Sequence, residues 1–479
     1  MKRLRSQWLF FAMLASFATI YLAFYPATFA IADECEILTL AYSIAHGTIH
    51  PDAAGVKTYN ESMEFAARGH RVVKYSAFHA ALLAPAIDAN WRLAFLVSAG
   101  FFVAGAFAVR AMLLEDGISS DWAALYFFLP GMLYYASSLE AAVPAAAMGL
   151  VGVAMLARKT PRPIVGGLAM GAAVLLHPWM AAAVVPLAAV WSVERISAGR
   201  IREAIRLGIG AFPTVIALGG FYAIVNGSAV RANYAVTGEV FRFGGEHFST
   251  FLPFYLVSLA IFPTAGWAAL SPRYAKGWAV PAAVGAVVLG ASLYQYRDGL
   301  TSGLPGVAAL VAGAIPGQRF LLPASVLACV PAARFLETRL RSICVAWGHP
   351  LRAAVLIVFV AGYGAIAALH QSFLRANAAV QIAIAGAVPS GALLLGNGEI
   401  LKELAPVRRI VAYREISPRD SDAARGRGAY VAWITAPGAT PPAAIFSGRR
   451  VERVQARSWV WNRDLWIGYP SEAPEPRVR

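Results

Sequence analysis

Long apolar stretches recur along this chain of 479 residues and constrain its fold more than any other feature. A helix needs about 20 mostly apolar residues to cross a bilayer. About eleven windows of this kind occur, at about 8–29, 91–113, 121–137, 141–157, 163–177, 178–193, 207–225, 251–270, 277–294, 319–336 and 351–370. Only 14% of the residues are charged, which excludes a disordered chain and an ordinary soluble enzyme. We predict an all-α polytopic membrane protein.

The distribution of basic residues tests the topology that these windows predict. With the N-terminus in the cytoplasm, 17 Lys and Arg residues lie in inside loops, and 9 lie in the outside loops up to residue 370. This is the bias of a multi-pass protein whose inside loops are positive. The net charge of +15 is therefore mainly a topology signal, and we predict no nucleic-acid partner. Arginine outnumbers lysine 35 to 6, which favours a bacterial origin and an inner (cytoplasmic) membrane location.

Residues 1–32 resemble a signal peptide in their basic start, their apolar stretch and the small residues before Asp33. The apolar core of a signal peptide is only about 7–15 residues long, whereas this stretch fills a bilayer. We therefore predict a first spanning helix, with Asp33 on the outer side.

The composition changes after His370. Segment 371–479 contains 15 Lys and Arg, 9 Asp and Glu, and no spanning window. Short strand-like runs separated by Gly, Pro and Ser turns lie at 392–395, 407–413, 430–434 and 451–461. We predict a transmembrane module over 1–370 and a small extracytoplasmic α/β domain over 371–479.

The first outside loop, residues 31–90, is too long for a simple connection. It opens on four residues with three acids, 33–36, and continues as an amphipathic stretch to His46 and Gly47, which predicts a helix on the membrane surface. Acidic residues at a helix start first suggest capping, and Asp33 with Glu36 three residues on fits a capping pair. A capping carboxylate still offers lone pairs to a substrate, so both roles stay open.

The position of Asp33 and Glu34 favours a chemical role. They leave the first helix at the depth where a lipid-linked phosphate lies. There a carboxylate can accept the proton of an acceptor hydroxyl that attacks a sugar carbon, while the lipid phosphate departs. The departing phosphate needs positive charge, which Lys74 and Arg319 can supply through charge-assisted hydrogen bonds.

Three further polar residues are predicted at the outer ends of helices. Arg319 follows a Pro-Gly pair at 316–317, which predicts a turn that fixes its geometry, although snorkelling explains it equally simply. Glu140 lies in a short turn beside apolar helices, where a charge is costly and marks a functional candidate, with turn polarity as the alternative. His177 marks the joint of the fifth and sixth helices, where it faces a cavity or satisfies a neighbouring carbonyl.

A phosphate contact and a metal site are weaker hypotheses. His79 lies near Lys74 in the sequence and either contacts phosphate or packs beneath the loop. Asp33, Glu34 and Glu140 can surround a divalent metal, but no paired His or Cys spacing demands one. The need for a metal stays open, and the sequence requires no other cofactor.

Segments 33–47, 74–79 and 316–323 together resemble the GT-C glycosyltransferases. They are most similar to the group that includes protein O-mannosyltransferases and lipid A aminoarabinose transferases, and the resemblance spans about residues 8–340. It implies a multi-helix membrane enzyme that takes sugar from a polyprenyl phosphate on the extracytoplasmic side.

The resemblance also implies residue roles. Asp33 would be the general base, Lys74 and Arg319 phosphate contacts, and Glu140 a cavity or metal-linked carboxylate. Tyr75 follows Lys74 where the family commonly has proline. The candidate substrate-binding residues are Glu34, Lys74, Tyr75, His79, Glu140, His177 and Arg319.

Together these features predict a hexosyl- or pentosyltransferase. It would move sugar from a polyprenyl-phosphate donor to a hydroxyl of a lipid, glycan or protein acceptor, with inversion. A transporter or flippase for a lipid-linked substrate is one alternative, although no matching halves occur. A non-enzymatic scaffold for envelope assembly is the other.

Overall fold

The chain forms two compact units, of which the first combines Met1–Ala23 with Phe95–Ala365 and the second combines Phe24–Ala94 with Ile366–Arg479. The second unit therefore includes the predicted first outside loop as well as the C-terminal segment. The computed structural model describes residues 7–30, 32–51, 64–67, 70–229, 233, 244–245, 248–294, 307–346, 348–389, 392–397, 412–415, 428–457 and 462–470.

The first unit is a bundle of apolar helices. Its longer helices are Trp8–Ala23, Phe95–Glu115, Ala142–Leu156, Pro163–Leu176, Ala181–Ser197, Ile201–Asn226, Phe248–Ile261, Ala279–Leu293, Val307–Ala346 and the first part of Gly348–Ala387. One large core joins buried residues such as Trp191, Phe251, Tyr255 and Leu321. The predicted helical class is confirmed for this unit.

Five helices of the described chain are long and apolar enough to cross a membrane. They are Ala77–Glu115, Pro178–Ser197, Ile201–Asn226, Gln318–Leu340 and Gly348–Ala387. Five shorter apolar helices of 10–17 residues accompany them. The chain is thus a multi-pass membrane protein, while the number of eleven spans and their orientation stay predictions.

The window 121–137 is not the single helix that its hydropathy predicts. It forms a 3-10 turn at Ser120–Ala123 and two short helices, Ala124–Phe127 and Pro130–Tyr135. Leu129 is extended, with φ −82° and ψ 104°, because a residue before proline avoids the helical region. The prediction of one spanning helix here is wrong.

Two glycines allow the helices Pro163–Leu176 and Ile201–Asn226 to pack backbone to backbone. A Cβ at Gly167 would overlap the Leu207 carbonyl oxygen, and a Cβ at Gly210 would overlap the Ile164 carbonyl oxygen. Neither clash can be relieved by rotating a side chain. The contact therefore depends on the absence of a Cβ, as in close helix crossings of membrane proteins.

Replacing Gly210 with Ala is expected to destabilise the protein by about 1–3 kcal/mol, as overpacking does in tight cores. The matched control is Gly208→Ala on the same helix, where an added Cβ meets nothing within 4 Å. The midpoint of thermal unfolding in detergent should fall for Gly210→Ala and stay unchanged for Gly208→Ala. Equal midpoints for the two variants would contradict the close contact.

Cations from separate segments meet acids at one end of this unit. Asp116 pairs with Lys276 at 2.5 Å and with Arg334 at 2.6 Å, and Asp121 pairs with Arg352 at 2.8 Å. Burial raises the pKa of the Asp121 carboxyl, and the Arg352 charge opposes this shift. The three cations, Lys276, Arg334 and Arg352, are among the residues predicted in inside loops, and the structure pairs them with two acids of one short segment, 116–121.

The second unit contains two helices, Ala32–Ala45 and Ala77–Asn90, with the hairpin β1 (Glu64–Ala67) and β2 (His70–Val73) between them in sequence. The helix Ala32–Ala45 is buried at every residue from Glu34 to Ala41. Eight consecutive residues pass round all sides of a helix. The predicted amphipathic surface helix is therefore wrong, because protein covers every face of this segment.

The rest of the second unit is the end of the helix Gly348–Ala387 and a five-stranded sheet. The strands are β3 (Leu393–Gly396), β4 (Ala412–Glu415), β5 (Tyr430–Thr435), β6 (Arg450–Ala456) and β7 (Arg463–Tyr469), in the order β4-β3-β5-β7-β6. β3 is parallel to β4 and β5, and β7 is antiparallel to β5 and β6. The small C-terminal α/β fold is confirmed.

Two features of this unit were not predicted. The last helix passes through the expected boundary at residue 370 and ends at Ala387. Its residues Ala376, Val380 and Ile384 pack on the sheet, which makes the helix end part of the domain core. The strand β7 was also missed, because the predicted run at 451–461 ends before its first residue, Arg463.

Asp464 on β7 is a buried carboxylate with three donors. Arg453 approaches it at 2.6 Å, Arg457 at 2.9 Å, and the Gly438 N–H donates to it at 2.9 Å. Burial acts to raise the pKa of this carboxyl, but the hydrogen bonds and the arginine charges together hold the pKa below its ordinary value.

The sheet is therefore expected to lose stability in acid. The unfolded chain takes up the Asp464 proton near its ordinary pKa of about 3.9. The contribution of the Asp464 carboxylate to the free energy of unfolding is full above that value. It is lost as the pH falls through the lower pKa of the folded state. Asp464→Asn should cost about 1–3 kcal/mol at neutral pH and flatten this acid dependence. Protease protection of residues 428–470 after heating at each pH measures both effects, and an unchanged acid dependence would contradict them.

Candidate functional site

Glu140 is a buried carboxylate in the turn that joins Pro130–Tyr135 to Ala142–Leu156. Its side chain is only 5% exposed, and its backbone N–H donates to the Ser138 hydroxyl at 2.9 Å. Ser138 thus fixes the turn that presents the carboxylate. The predicted turn at Glu140 is confirmed.

Arg319 lies on the helix Val307–Ala346, and the structure brings it to Glu140. Its Nη1 is 3.5 Å from Glu140 Oε1, and its side chain is 22% exposed. The guanidinium carbon also lies 5.0 Å from the centre of the Phe320 ring. A partly exposed guanidinium that is oriented by a carboxylate and an aromatic ring suits a phosphate ligand.

The Pro-Gly pair before Arg319 does not form a turn. Residues 316 and 317 lie inside the continuous helix Val307–Ala346. Proline and glycine are tolerated in membrane helices because neighbouring elements satisfy the freed backbone groups. The predicted turn is therefore wrong, and the helix and the Glu140 contact position Arg319 instead.

An aromatic cluster surrounds the residue after Arg319. The Trp179 indole N–H donates to the Phe320 carbonyl at 2.8 Å, and the two rings meet edge to face at 5.9 Å. The Tyr294 ring lies 5.0 Å from Phe320 and 6.5 Å from Trp179. Trp179 was not predicted, although a tryptophan two residues after His177 is a recognisable signal.

His177 lies at the predicted joint between the helix Pro163–Leu176 and the 3-10 turn Pro178–Met180. Its Nδ1 accepts from the Trp179 N–H at 3.2 Å, so the imidazole caps the following turn. His177 is therefore linked to the residue after Arg319 by two hydrogen bonds, because Trp179 donates to both the imidazole and the Phe320 carbonyl.

In the second unit, Asp33 and Glu34 both lie in the first turn of the helix Ala32–Ala45. Glu34 is 1% exposed, and its Oε2 accepts from the Ala30 N–H at 2.7 Å. Asp33 is only partly buried. Glu34 thus accepts a backbone N–H at the helix start, and Asp33 is the more accessible carboxylate of the pair.

Lys74 and Tyr75 follow β2 and precede the helix Ala77–Asn90. The Lys74 ammonium lies 5.4 Å from the centre of the Tyr75 ring, and both side chains are partly buried. Ser76 caps the helix by accepting from the His79 N–H at 3.4 Å. The His79 side chain is buried, which favours packing beneath the loop over contact with a substrate.

The predicted residues therefore fall into two groups. Glu140 and Arg319 are in contact within the first unit, and His177 joins them through Trp179. Asp33, Glu34, Lys74, Tyr75 and His79 belong to the second unit. The predicted action of Asp33 and Arg319 on one substrate stays a prediction.

The metal hypothesis gains no support from side-chain grouping. Within the described part of the chain, no three His, Cys, Asp or Glu side chains form a group that could hold a metal ion. The need for a metal stays open.

Neither a known family model nor a curated protein sequence matches this chain. Among solved structures, the chain is similar to the crystal structure of ArnT from Cupriavidus metallidurans in the apo state. The TM-score is 0.62 at 13% sequence identity, and the similarity covers 97% of this chain and 98% of ArnT. ArnT is a lipid A aminoarabinose transferase of the GT-C type. Over nearly its whole length, the chain therefore has the fold of this ArnT structure, which fits the resemblance of its motifs to the GT-C glycosyltransferases.

Proposed function

We propose that this protein is an integral-membrane glycosyltransferase that takes a sugar from a polyprenyl-phosphate donor. The acceptor is a hydroxyl of a lipid, glycan or protein, and the anomeric carbon is inverted. The observation that carries the proposal is the partly buried Asp33 carboxylate in a chain with an ArnT-like fold. Asp33 lies in the first turn of the helix Ala32–Ala45, next to Glu34, which accepts from the Ala30 N–H.

Asp33 is proposed as the general base. Its carboxylate accepts the proton of the acceptor hydroxyl as that oxygen forms a bond to the anomeric carbon. The bond between this carbon and the phosphate oxygen breaks, and the polyprenyl phosphate leaves with the electron pair. Glu34 is less suited to this task, because it is almost fully buried and already accepts from the Ala30 N–H.

Lys74 and Arg319 are proposed to stabilise the negative charge of the leaving phosphate. Fixed cations stabilise a developing charge better than water does, because they need no reorientation. The Glu140 carboxylate and the Phe320 ring hold the Arg319 guanidinium in one orientation. The Tyr75 ring, whose centre lies 5.4 Å from the Lys74 ammonium, orients that ammonium in the same way.

The proposed location is the bacterial inner membrane, with the N-terminus in the cytoplasm and the C-terminal domain outside. The apolar helices and the loop charges support this orientation. The donor would then be a lipid within the outer leaflet. No nucleotide is needed, since the phosphate ester already activates the sugar.

Comparative glycan and lipid analysis of a strain that lacks this gene tests the proposal. We expect one envelope component to lose a sugar, its polyprenyl-phosphate donor to accumulate, and the wild-type gene to restore the product. Unchanged glycans and lipids would contradict the proposal. Solute uptake by liposomes containing the purified protein, without any sugar transfer, would instead indicate a transporter.

A further inference from the structure

The segment 24–30, which leads to the acidic pair, has no regular secondary structure and is held by side chains of the final helix, Gly348–Ala387. Gln371 Nε2 donates to the Tyr25 carbonyl at 3.0 Å, and Asn377 Nδ2 donates to the Phe29 carbonyl at 3.4 Å. The Thr28 hydroxyl donates to Gln381 Oε1 at 2.7 Å. Gln371 and Asn377 thus provide hydrogen bonds that a buried irregular backbone needs, and Gln381 binds a side chain of the same segment.

Arg92 ties the same segment from a different side. Its Nε and Nη2 donate to the Pro26 carbonyl at 3.1 and 2.9 Å, and the Tyr25 hydroxyl donates to the Arg92 carbonyl at 2.5 Å. Thr28 and Phe29 are each 1% exposed. Residues 25–29 are thus fixed by polar contacts from two elements of the second unit.

This anchoring extends directly to the acidic pair. The Ala30 N–H donates to Glu34 Oε2 at 2.7 Å, and Asp33 is the neighbour of Glu34 in the first helical turn. A displacement of residues 28–30 would therefore move the helix start that carries Asp33. Displacements of about 1 Å at a reacting group can reduce a rate about 100-fold.

The C-terminal sheet reaches the segment through Asn377. Arg463, the first residue of β7, donates from Nη2 to Asn377 Oδ1 at 2.5 Å, and both side chains are 2% exposed. The adjacent face of the same helix packs on the sheet through Ala376, Val380 and Ile384. The helix end thus contacts the sheet on one face and segment 24–30 on the next.

We propose that the C-terminal domain is a positioning element for the acidic pair, and that it acts through the final helix on segment 24–30. The positioning residues are Gln371, Asn377 and Gln381 on the final helix, Arg463 on β7, and their partner Thr28 in segment 24–30. The catalytic part of this inference rests on the proposed function. It gives the domain a role in the same reaction, because the domain holds the helix start that presents Asp33.

Two substitutions remove individual hydrogen bonds with little change in volume. Thr28→Val removes the donor to Gln381, and Thr28→Ser retains it. Asn377→Asp keeps an acceptor for Arg463 but cannot donate to the Phe29 carbonyl. The matched control is Ile382→Ala, which shortens an exposed side chain of the same helix and leaves the sheet packing and these hydrogen bonds in place.

The first readout is independent of enzyme activity. Cys35 is a buried thiol two residues after Asp33, and its modification by N-ethylmaleimide in the full-length protein reports opening of the helix start. We expect Thr28→Val and Asn377→Asp to raise the modification rate by about fivefold or more through local opening. Thr28→Ser and Ile382→Ala should retain the wild-type rate.

The second readout is the sugar restored in the gene-deletion strain, per amount of folded protein. Thr28→Val and Asn377→Asp should lower it by about tenfold, and rescue by Thr28→Ser identifies a positioning effect. Wild-type Cys35 rates in both variants, or faster modification with full transfer, would overturn the inference. An equal loss in Ile382→Ala at the same folded amount would also overturn it. A wild-type protein that restores no sugar would contradict the proposed function alone, and the Cys35 rates would still test the anchoring.

Discussion

Replacing Asp33 with Asn is expected to lower sugar transfer by about 10²–10⁴-fold, the usual contribution of a general base. Asn has the same size and remains compatible with a helix start, so the variant should fold. The carboxamide cannot accept the proton of the acceptor hydroxyl. Transfer per amount of folded protein in membranes measures the effect.

Asp88→Asn is the matched control for this substitution. Asp88 is exposed on the helix Ala77–Asn90 of the same unit, and the chemical change is identical. The control should transfer sugar within about twofold of the wild-type rate, as exposed substitutions usually perturb little. If folded Asp33→Asn transferred sugar at nearly the wild-type rate, Asp33 would not be the general base and would contribute only to the helix start.

Replacing Arg319 with Gln is expected to reduce transfer by about 10²–10³-fold, as the loss of one preorganised charge donor does elsewhere. The variant loses the cation that lies 3.5 Å from the buried Glu140 carboxylate. This loss also lowers stability, because a buried charge then lacks that compensation. The measurement is again transfer per amount of folded protein.

Two further variants separate catalysis from folding. Arg319→Gln combined with Glu140→Gln removes both charges of the pair and should recover stability without recovering transfer. Arg273→Gln removes an exposed arginine that lies 5.7 Å from the Tyr274 ring, a similar cation–aromatic contact, and should retain transfer. Full activity of the double variant would exclude Arg319 from the reaction.

Hydropathy predicted most of the helical framework because length and apolarity decide which segments can cross a bilayer. The windows at 141–157 and 163–177 match Ala142–Leu156 and Pro163–Leu176 closely. The window at 121–137 failed because Pro130 forces Leu129 into an extended conformation. A mean hydropathy over the whole window does not show that the helix is interrupted at Leu129.

The candidate site was predicted in its residues more than in its contacts. Glu140 was chosen because a charge near hydrocarbon is costly, and Arg319 was chosen because a Pro-Gly pair precedes it. Their pairing across 179 positions emerged only from the fold. The amides Gln371, Asn377 and Gln381 were missed for a related reason. Their role depends on two carbonyl groups and the Thr28 hydroxyl of segment 24–30, which no local pattern of the final helix reveals.

The anomeric configuration of the product tests the central claim most directly. The purified protein should be given the polyprenyl-phosphate donor that the deletion strain accumulates, and the glycosidic linkage should be assigned by NMR. A single displacement with Asp33 as base predicts a product of inverted configuration. A product of retained configuration, or no product from that donor, would contradict this mechanism.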